Sequence, residues 1–424
     1  MTDGAAPAPD EPSHRRRIRR RLVLFVHGFD PRGIERPYHI LSAELPKYGA
    51  RTGTAVGQSR LETPDRAKPW LKRWTVTVDE GDGATETRFE FLDWQDLIPR
   101  RREFRFFKLS LAAIATFYVM LWKGVFYRLA RYGWSHFGFV AVPFAAVALY
   151  IGLIVAAPVA GYFIGRDFGG WGAAAGLALG LLAAAVFYRL TLWIDRGAHF
   201  WFLMAFWAFQ REQGSRRGMP VLAARFDRLA EHALHVADEW RPDEAILVGV
   251  SHGGICAIDI LGRMFERDPG LAALASAADR EGRRLAFLTL GSLPSLLDSM
   301  GPNPGLRAAT AKLLASPLVD WHYYTARGDI MTSDRYDPFR DLGRRPTPAE
   351  AARFISFRIL LKPMLGEAEA ALGWRFITKH LQYLMASVTG EEYDFFALTC
   401  TGTPFRTAAA AWRSRALASR TGDG

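Results

Sequence analysis

Cysteine is almost missing from this sequence. Cys256 and Cys400 are the whole complement, which excludes a disulfide framework and suits a reducing compartment. Cys256 lies one helical turn after His252, but no other ligand-type residues cluster with the pair, so no metal site is expected. No stretch calls for a cofactor either. Acid is in deficit: 43 Asp and Glu stand against 54 Lys and Arg, a formal charge of +11. No nucleic-acid motif accompanies that excess. It gathers beside apolar segments instead, with Arg15, Arg16, Arg17, Arg19, Arg20 and Arg21 before the first apolar run and Arg100, Arg101, Arg102, Arg105 and Lys108 before the longest apolar block. This placement points to a bilayer containing anionic lipid, rather than nucleic acid, as partner. A cleaved export signal is not expected, since the run at residues 22–26 is cut short by His27, Gly28 and Asp30. No internal repeat occurs, and nothing fixes an oligomeric state.

What the chain has instead is a concentration of apolar residues between about Phe106 and Phe209. Residues 137–164 carry no charge, and residues 171–194 carry only Arg189; each is long enough to cross a bilayer, which takes about 20 helical residues. Residues 109–127 contain Lys123 and make a weaker span, while residues 199–209 reach only about half the length needed. Strand-like runs on both sides of the block must join one sheet, so the number of crossings is even. Two crossings, at about 137–164 and 171–194, keep Arg128, Arg131, Arg189, Arg196 and Arg211 on the inner side, as basic residues prefer. Four would put Arg128 and Arg131 outside. With two, residues 109–127 and the aromatic run around Trp201 and Trp207 are expected in the interface. A buried helical hairpin of a soluble protein is the competing arrangement, disfavoured by this length and apolarity.

Around the block, strand and helix patterns alternate. Residues 22–26 form the unbroken apolar run of a strand buried on both faces. Residues 74–78 and 88–92 alternate about the turn Glu80-Gly81-Asp82-Gly83, as a hairpin buried on one face would. Leu222, Phe226, Leu229, Ala233, Val236 and Trp240 recur at helical steps. Residues 245–248, 285–290 and 319–324 suit parallel strands, with a helix from Pro304 to Leu314 between the last two. Thr347, Pro348 and Glu350 form a capping box expected to open an amphipathic helix through about Leu361. The expected class is α/β with a doubly wound, mainly parallel sheet. A disordered basic leader (1–20) precedes a first core segment (21–105), a membrane-associated helical insertion (106–210), a second core segment (211–404) and a tail (405–424).

Gly249-Val250-Ser251-His252-Gly253 is the motif that carries chemistry. Small residues at Gly249, Gly253 and Gly254 leave room for a strained strand-to-helix turn that presents the serine hydroxyl. The motif follows an apolar strand, precedes the helical run Ile255-Cys256-Ala257-Ile258, and stands downstream of a strand ending in His27-Gly28-Phe29. At these residues the chain resembles the α/β-hydrolase family, esterase and lipase type. The resemblance implies an α/β-hydrolase sheet, here interrupted by a transmembrane helical hairpin, with Ser251 as nucleophile and the backbone N–H groups of Phe29 and His252 as oxyanion hole. It further implies a triad in the order Ser, acid, His. His380 is the only histidine after Tyr324 and becomes the implied base, ahead of an apolar helical run at 381–388. Asp329, in the turn Ala326-Arg327-Gly328-Asp329, is the acid expected, with Asp334 and Asp298 as alternatives. Leu290-Gly291-Ser292 is similar to the Leu-Gly-Ser-Pro of some lipases, apart from the intervening Leu293. His27, His322, His232 and His235 carry structural expectations only: a strand end, a strand interior and the polar side of a helix.

The activity implied is cleavage of a carboxylic ester of a lipid-like substrate. The protein would be integral to the inner (plasma) membrane, with its catalytic domain on the cytoplasmic side. A thioesterase or acyltransferase using the same triad, and a catalytically silent membrane scaffold, are the other functions compatible with the sequence.

Overall fold

The computed structural model describes residues 17–30, 32–98, 106–215, 218–272, 274, 284–294, 300, 303–327, 329, 331–332, 336–360, 380–390 and 393–422. Arg15, Arg16, Arg100, Arg101, Arg102, Arg105, Asp298 and Asp334 lie outside them.

The unbroken apolar strands do what their sequence requires and sit inside a sheet with both faces covered. Among the described residues eight strands, β1 (Arg20–Val26), β2 (Ala55–Gln58), β3 (Leu71–Asp79), β4 (Ala84–Leu92), β5 (Glu244–Val250), β6 (Leu285–Leu290), β7 (Val319–Ala326) and β8 (Phe354–Ile359), run in the order β2-β3-β4-β1-β5-β6-β7-β8. Pairing is parallel from β4 through β8 and antiparallel at β2–β3 and β3–β4. Side-chain alternation divides β1 between two cores. Leu22, Leu24 and Val26 pack against α7 (Pro220–Trp240), α8 (His252–Arg267) and α9 (Pro304–Ala315), while Val23 and Phe25 face the layer containing α1 (Glu35–Thr52). The class is α/β, as expected.

Between β4 and α7 the described residues form five more α-helices: α2 (Phe106–Trp122), α3 (Val125–Tyr132), α4 (Trp134–Gly165), α5 (Gly169–Ala198) and α6 (Phe200–Gln213). α4 and α5 fold back on each other around a short turn at Arg166–Phe168. Their glycines leave so little space that a Cβ on Gly161 would collide with the Gly176 carbonyl and one on Gly165 with that of Gly172. The pairing of low with high numbers makes the helices antiparallel. Together, His136–Asp195 form a helical stretch long and apolar enough to cross a membrane, and most of it is not buried within the protein. The base of α4 (Val140, Phe144, Val147) packs on α2, α3 and α6. Farther out, Leu153, Val155, Ile164, Leu177 and Leu181 are exposed, and the tip carries Phe168 at 80% and Trp171 at 92% exposure.

Several expectations need correction. The hairpin strand β4 is not buried on one face only: it lies between β3 and β1, and Glu90 is buried against Arg73. The helix expected through Leu361 ends after one capped segment, Pro348–Arg353. The chain then becomes β8, because the open edge of β7 offers backbone partners to the alternating Phe354-Ile355-Ser356-Phe357-Arg358-Ile359. The helical run expected at 381–388 is a short turn at Gln382–Leu384. There the Ala386 and Ser387 N–H groups donate to Glu44 (3.1 Å) and Asp394 (3.0 Å) rather than to a helix. The tail is part of the core: α10 (Phe405–Gly422) buries Phe405, Ala409, Trp412 and Ala416. Residues 109–127 break at Gly124, where φ is 63° and the helices bend by 66°. Finally, Trp201 and Trp207 are buried under α2 and α4 rather than set at an outer surface.

Arg21 fastens the C-terminal segment to the sheet. It is fully buried, pairs with Glu244 at 2.7 Å and donates to the carbonyls of Thr401 (2.5 Å) and Thr403 (2.7 Å). Arg21→Met strands a nearly buried carboxylate and two carbonyls, so it is expected to cost about 3–5 kcal/mol. Thermal unfolding of the full chain in detergent checks this; an unchanged midpoint would contradict the role given to Arg21.

Candidate active site

One residue separates β5 from α8, and it must reverse the chain. Ser251 does so at φ 58° and ψ −130°, a region that costs a non-glycine residue about 1–3 kcal/mol. Its N–H donates to the Leu290 carbonyl at 2.8 Å. The turn also relies on missing side chains: a Cβ on Gly249 would lie 2.5 Å from the Gly254 Cα, one on Gly253 2.5 Å from the His27 carbonyl oxygen, and one on Gly254 2.5 Å from Ser292 Oγ. On the other side Gly28, just past β1, comes so close that its Cβ would stand 2.9 Å from that of Ser251. Ser251 thus sits at the C-terminal ends of the adjacent strands β1 and β5. The chain proceeds to opposite sides of the sheet from these strands, which is where ligands of open α/β sheets bind.

His380 and Asp329 come together although 51 residues part them. His380 Nδ1 and Asp329 Oδ2 are 2.7 Å apart and both side chains are buried. Asp329 also accepts from the Tyr383 hydroxyl at 2.9 Å and from the Met331 N–H at 3.0 Å. Burial would raise the Asp329 carboxyl, but His380 and these two donors outweigh it and hold the group below its ordinary value, ionised. With Nδ1 committed to the carboxylate, His380 Nε2 is buried with no hydrogen-bond partner among the described residues. His380 and Ser251 line one cavity of about 300 Å³, together with Gly28, Phe29, Met331 and Phe202. A second, tighter cavity of about 30 Å³ lies against Ser251 under α3, α4 and α6, walled by Leu129, Phe139, Val140 and Trp207.

The two backbone N–H groups expected to face a substrate oxygen belong to residues whose side chains share one anchor. Phe29 packs its ring 5.2–5.6 Å from Phe202, Phe206 and Phe209 of α6. His252 packs 5.8 Å from Phe206 and Phe209, and Gln210 Nε2 donates to its Nδ1 at 3.0 Å. Neither N–H is taken by a protein acceptor among the described residues. His27 is structural, as expected: buried, stacked on Trp94 and bonded to Asp93 at 2.7 Å.

The sequence therefore named Ser251, Asp329, His380, Phe29, His252 and the three glycines, and the fold collects them at one end of the sheet. It held no warning of Tyr383, beyond its place one turn after His380, or of Gln210 and the α6 phenylalanines. Among the described residues no group of three His, Cys, Asp or Glu side chains is placed to hold a metal, and both cysteines are buried and free. No family model matches the chain, and no curated protein or solved structure matches it either.

Burial, reinforced by the nearby His27, pushes His252 down to about 3, and burial beside Arg413 and Arg406 does the same to His322. Both rings stay neutral in the folded state while the unfolded chain takes up protons below its ordinary value near 6.5. Stability is then full above about pH 6.5 and falls toward pH 3, as the unfolded rings take up protons that the buried ones do not. His322→Phe is expected to flatten the acid limb of a Tm-versus-pH curve; an identical limb would refute a buried neutral His322.

Proposed function

We propose that this protein is a membrane-anchored serine hydrolase of α/β-hydrolase fold that cleaves a carboxylic ester of a lipid-like substrate. The observation that carries the proposal is the strained Ser251 turn sharing a cavity with a buried His380–Asp329 pair whose free ring nitrogen has no other partner among the described residues. His380 Nε2 takes the Ser251 proton as Oγ bonds to the ester carbonyl carbon, and the N–H groups of Phe29 and His252 receive the oxyanion. Collapse breaks the C–O bond, and the imidazolium returns its proton to the departing alcohol. Water, deprotonated by His380, then attacks the acyl-enzyme. The acid leaves and Ser251 recovers its proton. Asp329 keeps the imidazole in the required tautomer and stabilises its cation, and Tyr383 steadies Asp329.

A membrane setting is supported by the α4–α5 hairpin. From Trp171 to Tyr188 runs about 26 Å of helix at 1.5 Å per residue, close to the hydrocarbon thickness. Exposed Phe168 and Trp171 mark one end, and Arg189 and exposed Trp193 the other. Both feet of the hairpin stand at the site: His136 lines the smaller cavity, while His199, Trp201 and Phe202 line the larger. Lys123 supports two crossings, since its ammonium donates to the Met300 carbonyl at 2.5 Å and ties α2 to the chain beyond β6. A cavity mouth beside the bilayer suits an ester drawn from it. The basic residues near the core favour the cytoplasmic side of the inner membrane.

A fluorophosphonate probe is expected to label the membrane-embedded protein and to lose its target in Ser251→Ala. Equal labelling of the two would leave only the silent scaffold. Asp329→Asn should lower ester turnover on the order of 10³–10⁴-fold with little change in KM; a loss below tenfold would remove Asp329 from the triad. Product analysis with water, thiol esters and alcohol acceptors separates hydrolase, thioesterase and acyltransferase. Reporters after Gly424 and in the turn at 165–170 should mark opposite sides of the membrane, and the same side for both would overturn the two-crossing topology.

A further inference from the structure

The larger cavity has an ionic wall that the ester-cleaving groups do not use. Arg32 and Arg36, at the entrance to α1, line it together with Asp30. Both carboxylate oxygens of Asp30 are already engaged. Oδ2 pairs with Arg36 at 2.8 Å and Oδ1 accepts from the Arg32 backbone N–H at 2.9 Å. Arg32 is exposed, lines the cavity and meets no carboxylate among the described residues through its side chain. His27 and His380, which face the same space, are committed to Asp93 and Asp329. Two guanidiniums therefore stand against one carboxylate on this wall. Arg36 registers the crowding: burial lowers its pKa and Arg32 adds to the effect, against the opposing pull of Asp30. Apart from Ser251 and His199 the rest of the side-chain lining is apolar, with Phe29, Pro37, Phe202 and Leu384. A neutral ester would fill the apolar part and leave the cation unmatched.

We propose that Arg32, backed by Arg36, binds a phosphate or carboxylate on the substrate, making the preferred substrate class acyl esters of anionic amphiphiles. This rests on the assignment of Ser251 as an ester-cleaving nucleophile, and it explains why an arginine pair borders that nucleophile. The guanidinium fork suits both anions, since each offers two oxygens in one plane.

Binding tests this without relying on turnover. The full chain carrying Ser251→Ala, in a neutral detergent, is titrated with dodecyl phosphate, dodecanoate and an uncharged dodecyl glycerol ether. The two anions are expected to bind about tenfold more tightly than the ether, the worth of one charge-assisted hydrogen bond. Arg32→Gln should erase that ratio and Arg32→Lys should keep most of it. Because Arg32 is exposed, neither change threatens the fold. Raising the salt to about 0.5 M should shrink the ratio. Equal affinity for the three amphiphiles, or an unchanged ratio in Arg32→Gln, would overturn the proposal. So would inorganic phosphate binding as tightly as dodecyl phosphate, since the site would then recognise free anion and not an amphiphile. If the ratio behaves as expected while the intact protein resists the fluorophosphonate probe, the anion site stands and the hydrolase assignment falls.

Discussion

Where β1 and β5 end, two stretches of backbone approach more closely than side chains allow. Gly28 lies against Ser251, and Gly253 lies against the Val26 and His27 carbonyls. This contact forces Ser251 to positive φ, because the chain has a single residue in which to leave β5 and enter α8 while clearing the β1 loop. It also sets the segments carrying Phe29 and His252 side by side, since Gly28 lies against Ser251 and Gly253 against His27. A side chain at any of these glycines would separate strand from helix before it altered any chemistry.

Around that contact α6 acts as a common support. It starts one residue after the apolar hairpin ends, and its Phe202, Phe206 and Phe209 touch the rings of Phe29 and His252. Aromatic packing of this kind stabilises each pair by about 0.5–1.5 kcal/mol beyond area burial. The insertion is thus continuous with the wall of the site, and α3, α4 and α6 roof the smaller cavity. The arginine wall of the larger cavity comes from the opposite direction, off the loop after β1. The site is assembled between a soluble-type sheet and an apolar insertion.

Legibility followed the range of the forces involved. The strands at 22–26, 245–248, 285–290 and 319–324 were readable because burial on both faces leaves an unbroken apolar run. Helices α4 and α5 were readable to within a few residues because residues 137–164 carry no charge and residues 171–194 carry only Arg189. β8 and the turn after His380 were not, because their conformation depends on partners elsewhere: the open edge of β7 for Phe354–Ile359, and Glu44 and Asp394 for Ala386 and Ser387. Local preference favoured helix in both places, and unsatisfied backbone groups decided otherwise. Trp201 and Trp207 were misplaced for a similar reason, since an aromatic-rich helix suits a bilayer interface and a protein core equally well.

By itself the sequence determined the α/β class, the long apolar hairpin and the serine turn, since periodicity, missing charge and glycine spacing are local properties written in consecutive residues. Only the tertiary structure decided that Asp329 meets His380, that Tyr383 bonds to Asp329 and Gln210 to His252, that residues 405–422 belong to the core, and that Arg32 and Arg36 line one cavity with Ser251. Those pairings join segments tens to hundreds of residues apart, and they exist because the order of strands in the sheet brings their ends to one edge.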